Sequence, residues 1–220
     1  MKILILGING MLGSAFARTF LKNNISFFAS VSSKKKKDKI NNLLKIPKNK
    51  ILVLNIMQSH LNGNINKINK LNFDIIINCI GIIKPHINEK NKNSIDNAIL
   101  INSIFPRFLC DHINKKVKIY QIATDCVFKG DKSFYTENSK HDPEDVYGKT
   151  KSLGEVNNKN FFNLRSSIIG KELNSKLSLI EWFLSNKMNS TINGFNNHNW
   201  NGLTTDAFAE YLSTIIINNI

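Results

Sequence analysis

The chain has 220 residues, 42% of them hydrophobic, and a formal net charge of +14. That length suits one sizeable domain, or one domain plus a small lobe, with a well-filled core, and no run of about 20 apolar residues offers a membrane-spanning helix. The positive balance invites a nucleic-acid partner, but the lysines are scattered among asparagine and isoleucine, which share AT-rich codons, so codon bias is the simpler account and no nucleic acid is expected.

Apolar runs alternate with helix-like stretches along the chain. Ile3–Leu6 reads as a buried strand, too short an apolar run for the core of a signal peptide. Residues 11–21 read as a helix, 25–31 as a second strand, and 34–48, the most polar stretch, as a mobile surface segment. A third strand at 51–54 precedes a weaker, asparagine-rich helix at 60–71. Residues 74–80 contain Ile75-Ile76-Ile77, the signature of a strand buried on both faces. Residues 94–112 have helical periodicity, with Pro106 inside it as the site of a kink or break. A fifth strand spans 117–123, a helix 146–156 and a sixth strand 161–168. Later helices are expected at 177–184, with Trp182 in the core, and at 205–216. This alternation predicts an α/β Rossmann-type doubly wound parallel sheet over residues 1–169. Where the alternation ends, residues 170–220 are expected to form a partial substrate lobe.

Gly7-Ile8-Asn9-Gly10-Met11-Leu12-Gly13 follows the first strand and opens the first helix. A dinucleotide pyrophosphate needs a tight turn, backbone that approaches it without a Cβ, and unpaired N–H groups at a helix N-terminus. The spacing GxxGxxG supplies these, and its position right after the first strand strengthens it. The end of the second strand carries Ser32, Ser33 and Lys34 and no acidic residue. This set either receives a ribose 2′-phosphate, which favours NADPH over NADH, or is a solvated lysine run. Asn55 and Ile56, after the third strand, are placed for the adenine edge. Asn78 to Gly81 after the fourth, with Cys79, Ile80 and Gly81 as the cofactor contacts, let backbone pass close to the cofactor.

Tyr147 and Lys151 stand four apart on a helix and so share a face. An ammonium and a positive nicotinamide ring beside the phenol are expected to lower its pKa from about 10 towards the working range. The phenol then exchanges a proton with a carbonyl oxygen. With four tyrosines in a lysine-rich chain this spacing arises by chance, so its place after the fifth strand carries the weight. Thr124, at the end of that strand, is placed to hydrogen-bond the substrate oxygen. Asp125 either orients Thr124 or a substrate hydroxyl, or caps a turn. Arg165 either meets a substrate phosphate or forms a structural ion pair. Three cysteines, Cys79, Cys110 and Cys126, and His60, His86, His112 and His141 lack metal-ligand spacing. No metal is expected, and the sparse cysteines fit a reducing cytoplasm.

These residues resemble a known family. Ala123-Thr124-Asp125-Cys126-Val127-Phe128, residues 146–155 from Val146-Tyr147-Gly148 to Gly154-Glu155, and Leu164-Arg165-Ser166-Ser167 are similar to segments of dTDP-4-dehydrorhamnose reductases and their relatives. Gly7, Gly10 and Gly13 match that family's glycine loop, and the likeness covers about residues 1–170. It implies an extended short-chain dehydrogenase that reduces the 4-keto group of a nucleotide-linked 6-deoxysugar with NADPH or NADH. The implied catalytic trio is Thr124, Tyr147 and Lys151, with support from Asn102. The product would feed surface polysaccharide or O-antigen synthesis, and a homodimer through the fourth and fifth helices is implied. Cys126 stands where the family has tyrosine, and Asn55 where aspartate is common. The segment around His198 and Trp200 is similar to sugar-nucleotide-binding relatives. There His198 and Trp200 either contact sugar or base, or belong to a structured loop. Family members run longer, so the substrate lobe is expected to be reduced, completed by a partner, or cut short by a truncated reading frame. An epimerase or dehydratase on the same scaffold, or a non-catalytic NADP-binding regulator, are the alternatives.

Overall fold

The computed structural model describes residues 1–132, 134–173, 178–197 and 200–218. Its centre is a six-stranded sheet built from β1 (Ile3–Leu6), β2 (Phe27–Val31), β3 (Ile51–Val53), β4 (Ile75–Asn78), β5 (Lys118–Ile122) and β6 (Phe161–Leu164), in the order β3-β2-β1-β4-β5-β6. Every neighbouring pair is parallel. This is the doubly wound Rossmann arrangement, whose ligands lie outside the carboxyl ends of the strands. Successive residues of a strand face opposite sides, which is why β1 is apolar throughout. Ile3 and Ile5 join one core with Phe16, Phe20 and Ile40, whereas Leu4 and Leu6 join the other with Ile65, Phe105 and Leu109.

Helices α1 (Met11–Lys22) and α2 (Lys34–Leu44) cover the first face. The lysine-rich stretch after β2 is therefore a helix, contrary to the expectation of a mobile segment. Its start is fixed by Ser33, whose hydroxyl accepts from the Lys36 N–H at 3.3 Å, and Ile40 is fully buried beneath it. Lysine is a competent helix former, and one well-placed apolar anchor suffices when the rest of the face is solvated. The left-handed Lys45 ends the helix, and Ile46 returns to the core.

On the other face lie α3 (Leu61–Lys70) and a long helical stretch formed by α4 (Lys92–Ile99), a π turn at Leu100–Ile104 and α5 (Phe105–His112). Pro106 neither breaks the helix nor ends it. Having no N–H, it cannot donate to the carbonyl of Asn102 four residues earlier, and the wider turn just before it accommodates its ring. That carbonyl faces Gly154 at the end of α6 (Val146–Gly154), where a Cβ would overlap it. Arg107 of α5 also donates to the Leu153 carbonyl at 2.6 Å. The π turn and α6 are thus held in direct contact.

Beyond residue 165 the chain forms the two-stranded pair β7 (Ile168–Ile169) and β8 (Leu203–Thr204), with α7 (Leu179–Ser185) between them and α8 (Thr205–Ile217) after. The last helix lies on α1: Phe208 packs edge-on against Phe16 at 6.2 Å, and Arg18 meets Asp206 at 2.7 Å. Trp182 is not in the core. It is 46% exposed, alongside the exposed Phe183 and Leu184, because α7 has no other element over its apolar face among the described residues. No helix of the described residues is long and apolar enough to cross a membrane.

Candidate active site

Because all six central strands are parallel, their carboxyl ends form one edge, and the candidate residues gather there. Gly7 turns the chain at φ +77°, and a Cβ on it would stand 2.9 Å from the Ile80 side chain. The buried Ser30 holds this turn from β2: its hydroxyl accepts from the Gly7 N–H at 3.1 Å and its carbonyl from the Ile8 N–H at 3.1 Å. Gly10 is the N-cap of α1 and carries no side chain to cap it, and no acidic residue occupies the first turn. The first N–H groups of a helix have no partner within it, so those of Met11, Leu12 and Gly13 converge on an uncapped, electropositive end. Gly13 presses on the Gly7 carbonyl, where a Cβ would overlap it. This cradle, open where side chains would fill it, fits a pyrophosphate. Asn9 and Met11 are half-buried at its mouth, and Leu12 is buried behind it.

The residues after β2 and β3 line the same edge. Ser32 and Lys34 are exposed, but Ser32 accepts from the Lys36 ammonium at 2.9 Å and Ser33 caps α2. Asn55 is exposed, its carbonyl accepting from the Asn64 side chain at 2.9 Å, and Ile56 is buried.

The glycine turn connects to the tyrosine helix through the segment after β4. Cys79 and Ile80 lie against Gly7, and the next residue, Gly81, sits beside Asn102 and Lys151: a Cβ there would be 3.5 Å from Asn102 Oδ1 and 3.9 Å from Lys151 Nζ. The Asn102 amide accepts from the Ile82 N–H at 2.8 Å and donates to the Ile82 carbonyl at 2.9 Å, while reaching Thr150 Oγ1 at 3.2 Å. One buried side chain therefore ties the β4 loop to α6. Burial drives the Cys79 thiol well above its ordinary value, so it stays neutral.

Helix α6 begins at Asp145, whose carboxylate accepts from the Gly148 N–H at 2.7 Å. Gly148 allows the helix to press on the Cys126 carbonyl, where a Cβ would overlap. This contact sets Tyr147 beside Thr124, the N-cap of a single turn at Asp125–Val127. Thr124 donates to Asp125 Oδ1 at 3.2 Å and accepts from the Cys126 N–H at 3.2 Å. The Asp125 carboxylate therefore holds the Thr124 hydroxyl.

The electrostatics differ from the sequence expectation. Tyr147 is pushed up to about 12: burial is the largest cause, and the hydrogen bond with Thr124 offsets part of it. Desolvation outweighs the neighbouring charges on the phenol and decides the direction. Lys151 is itself brought down to about 8 by burial, against the pull of the Glu155 carboxylate. Its ammonium donates to the Ile122 carbonyl at 2.5 Å. The same carbonyl accepts from Gln121, whose side chain in turn accepts from Asn78 at 2.7 Å. Asn78 is read in the sequence only as backbone beside the cofactor; Gln121 and the buried pairing of the two at the ends of β4 and β5 are not legible there. The signal is an amide side chain near the carboxyl end of each of two neighbouring strands.

Arg165 realises the ion pair. Its Nε and Nη2 grip Glu155 at 2.9 and 2.7 Å, Nη1 donates to the Glu137 carbonyl at 3.0 Å, and the guanidinium lies 5.6 Å from the Phe128 ring. Trp200 donates from its indole to Ser167 Oγ at 2.8 Å, packs on Gly202, and remains 42% exposed. His198 lies outside the described residues. A concavity of about 210 Å³ bordered by Ile68, Phe73, Asp74 and Ile113 opens at the opposite edge of the sheet and takes no part in this constellation.

The model of the RmlD substrate binding domain family matches residues 1–169. A dTDP-4-dehydrorhamnose reductase from Clostridium acetobutylicum superposes with a TM-score of 0.69 at 23% identity, over 99% of this chain and 71% of its own. A hypothetical dTDP-4-dehydrorhamnose reductase from Sulfolobus tokodaii gives 0.76 at 22% identity, over 100% and 74%. A UDP-glucuronic acid 4-epimerase from Bacillus cereus gives 0.61 at 22% identity, over 79% and 59%. At such identities these likenesses establish the fold. No curated protein matches the sequence.

Proposed function

Since the chain belongs to the RmlD substrate binding domain family, we propose that it is an NAD(P)H-dependent reductase of the 4-keto group of a nucleotide-linked 6-deoxysugar, working in surface polysaccharide synthesis. The observation that carries this is the closeness of two halves of one site: a Cβ on Gly81 would stand 3.9 Å from Lys151 Nζ, and one on Gly7 would stand 2.9 Å from the side chain of the neighbouring Ile80. A bound nicotinamide would supply the hydride. The uncapped N-terminus of α1 holds the pyrophosphate, and Ser32, Ser33 and Lys34 favour the 2′-phosphate of NADPH. Lys151 faces the ribose beside the nicotinamide. Thr124 orients the keto oxygen, and Tyr147 gives it a proton from its phenolic oxygen. A phenol held near 12 keeps that proton at neutral pH, which suits the reducing direction. Residues 170–220 are assigned to a partial substrate lobe in which His198 and Trp200 meet the sugar or base, and the protein is taken to act in the cytoplasm.

The test is NADPH oxidation by purified protein given a dTDP- or UDP-4-keto-6-deoxysugar. Tyr147→Phe is expected to lower turnover by roughly 10²–10⁴-fold, the usual worth of a positioned proton donor, with cofactor binding retained. Turnover of the sugar without net loss of NADPH replaces the reductase reading with an epimerase. Binding without turnover replaces it with a regulator.

A further inference from the structure

The segment after β4 meets α6 at two places. The first is Gly81, beside Lys151, with Ile82 held through Asn102 to Thr150. The second lies at the far end of the segment and is not used by the chemistry above. Lys84 Nζ stands 2.8 Å from Asp145 Oδ2, and Glu89 Oε1 accepts from the Val146 N–H at 2.9 Å. Asp145 and Val146 are the two residues that precede Tyr147.

Local structure makes this far end firm. Pro85 stiffens a single turn at Lys84–His86, which closes with the Ile87 N–H on the Lys84 carbonyl at 3.0 Å. The Asn88 N–H then donates to Ser94 Oγ at 2.9 Å, and Asn91 caps α4 by accepting from the Ser94 N–H at 3.1 Å. Glu89 stands between these two anchored asparagines, so its carboxylate reaches α6 from a fixed base.

The first N–H groups of a helix lack partners within it, and α6 fills two of them with carboxylates. Asp145 takes that of Gly148 at 2.7 Å, and Glu89 takes that of Val146 from 57 positions away. A negative acceptor is favoured there by the helix dipole and bonds more strongly than a neutral one. Helix α1 is the contrast, since its end has neither a capping side chain nor an acidic residue. An end left open receives a phosphate, whereas an end filled from a neighbouring segment is a fastening. Lys84 lies on the second Asp145 oxygen and offsets the negative charge gathered there. Its side chain is 72% exposed, so this ion pair contributes little to stability. The contacts matter by their place.

We propose that Glu89 is a positioning residue: it ties the segment that carries Cys79, Ile80 and Gly81 to the helical turn that presents Tyr147, and so sets the place of the phenol against the cofactor side of the site. It acts through Tyr147 and not on the substrate. The inference rests on the proposed function only in its kinetic arm.

The experiment reads Tyr147 directly. Protein labelled with ¹³C-tyrosine gives ring signals from four residues, and that of Tyr147 is assigned by its loss in Tyr147→Phe. Without cofactor or substrate, Glu89→Ala is expected to displace the Tyr147 signal and to leave those of Tyr120, Tyr135 and Tyr211 in place, which also shows that the variant is folded. Glu89→Gln, whose amide oxygen can still accept from the Val146 N–H, is expected to return the signal to its wild-type position. A Tyr147 signal unmoved in Glu89→Ala overturns the proposal, and so does a Glu89→Gln protein that fails to restore it. In the reductase assay, Glu89→Ala is expected to lower kcat by roughly tenfold or more, part of the roughly 10²-fold that a misplacement of about 1 Å can cost. KM for the sugar nucleotide stays close to wild type, and Glu89→Gln restores kcat. A kcat unchanged in Glu89→Ala also overturns the proposal. A wild-type protein that is inactive but shows the displaced and restored signal sinks the function and leaves this inference standing.

Discussion

Lys151 and Tyr147 are perturbed in opposite senses by the same cause, burial, and each shift has a consequence for stability. The lysine falls from 10.5 to about 8, which amounts to about 3 kcal/mol against the folded charged form. Between those values the unfolded chain binds more protons than the folded one, so the folded state gains stability as pH rises from about 8 towards 10.5. Tyr147, raised from 10.0 to about 12, acts the other way: above pH 10 the unfolded chain sheds its proton first, and stability falls. Urea midpoints measured from pH 7 to 10 should therefore rise more steeply in the wild type than in Lys151→Met, and identical slopes would show that the amine is not depressed. Gly148 is the second residue that decides the site. Gly148→Ala places a methyl on the Cys126 carbonyl and must push Tyr147 away from Thr124. Since misplacements of about 1 Å can cost roughly 10²-fold, steady-state kinetics should show kcat down by at least tenfold with cofactor affinity little changed.

Individual elements were legible to the degree that burial wrote itself into the sequence. Strands β1 and β4 are covered on both faces; β1 reads as an unbroken apolar run, and β4 as three isoleucines before Asn78. The glycine loop was readable because a pyrophosphate cradle has backbone requirements that only a few residue types meet. Helix α2 was not readable, since a single buried isoleucine among lysines gives no periodicity. Its cap is testable: Ser33→Ala should lower the unfolding free energy by about 1 kcal/mol, measured by chemical denaturation, and no change would mean the cap hydroxyl contributes nothing. The π turn before Pro106 escaped for a different reason. A proline in a helical pattern signals disruption, but the resolution of that disruption depends on α6 docking against it, which is tertiary. The same holds for the site. The order of Thr124, Tyr147 and Lys151 along the chain placed them correctly at one edge of the sheet. The protonation of Tyr147 and Lys151 is set chiefly by burial, which no local pattern shows, and the partner of Arg165 stands ten positions away in sequence.

Across the whole molecule, the joint between the first and last helices carries more than its ion pairs suggest. Arg18–Asp206 and Lys22–Glu210 are largely exposed and contribute little. Phe208, Ala209, Leu212 and Ile216 are buried in the same cluster as Phe16 and Phe20. Phe208→Ala should cost roughly 3–5 kcal/mol, seen as a lower denaturant midpoint. A loss below 1 kcal/mol would mean that α8 only rests on the domain.

That joint also sets an order of events during synthesis. The partners Arg18 and Asp206 are 188 positions apart, and at about 5–20 residues per second a ribosome needs roughly ten seconds or more to travel between them. Throughout that interval the outer flank of α1 is bare phenylalanine, and the helix whose tip receives the pyrophosphate lacks its brace. The nascent polypeptide is therefore expected to acquire full nucleotide affinity only once α8 has emerged from the ribosome.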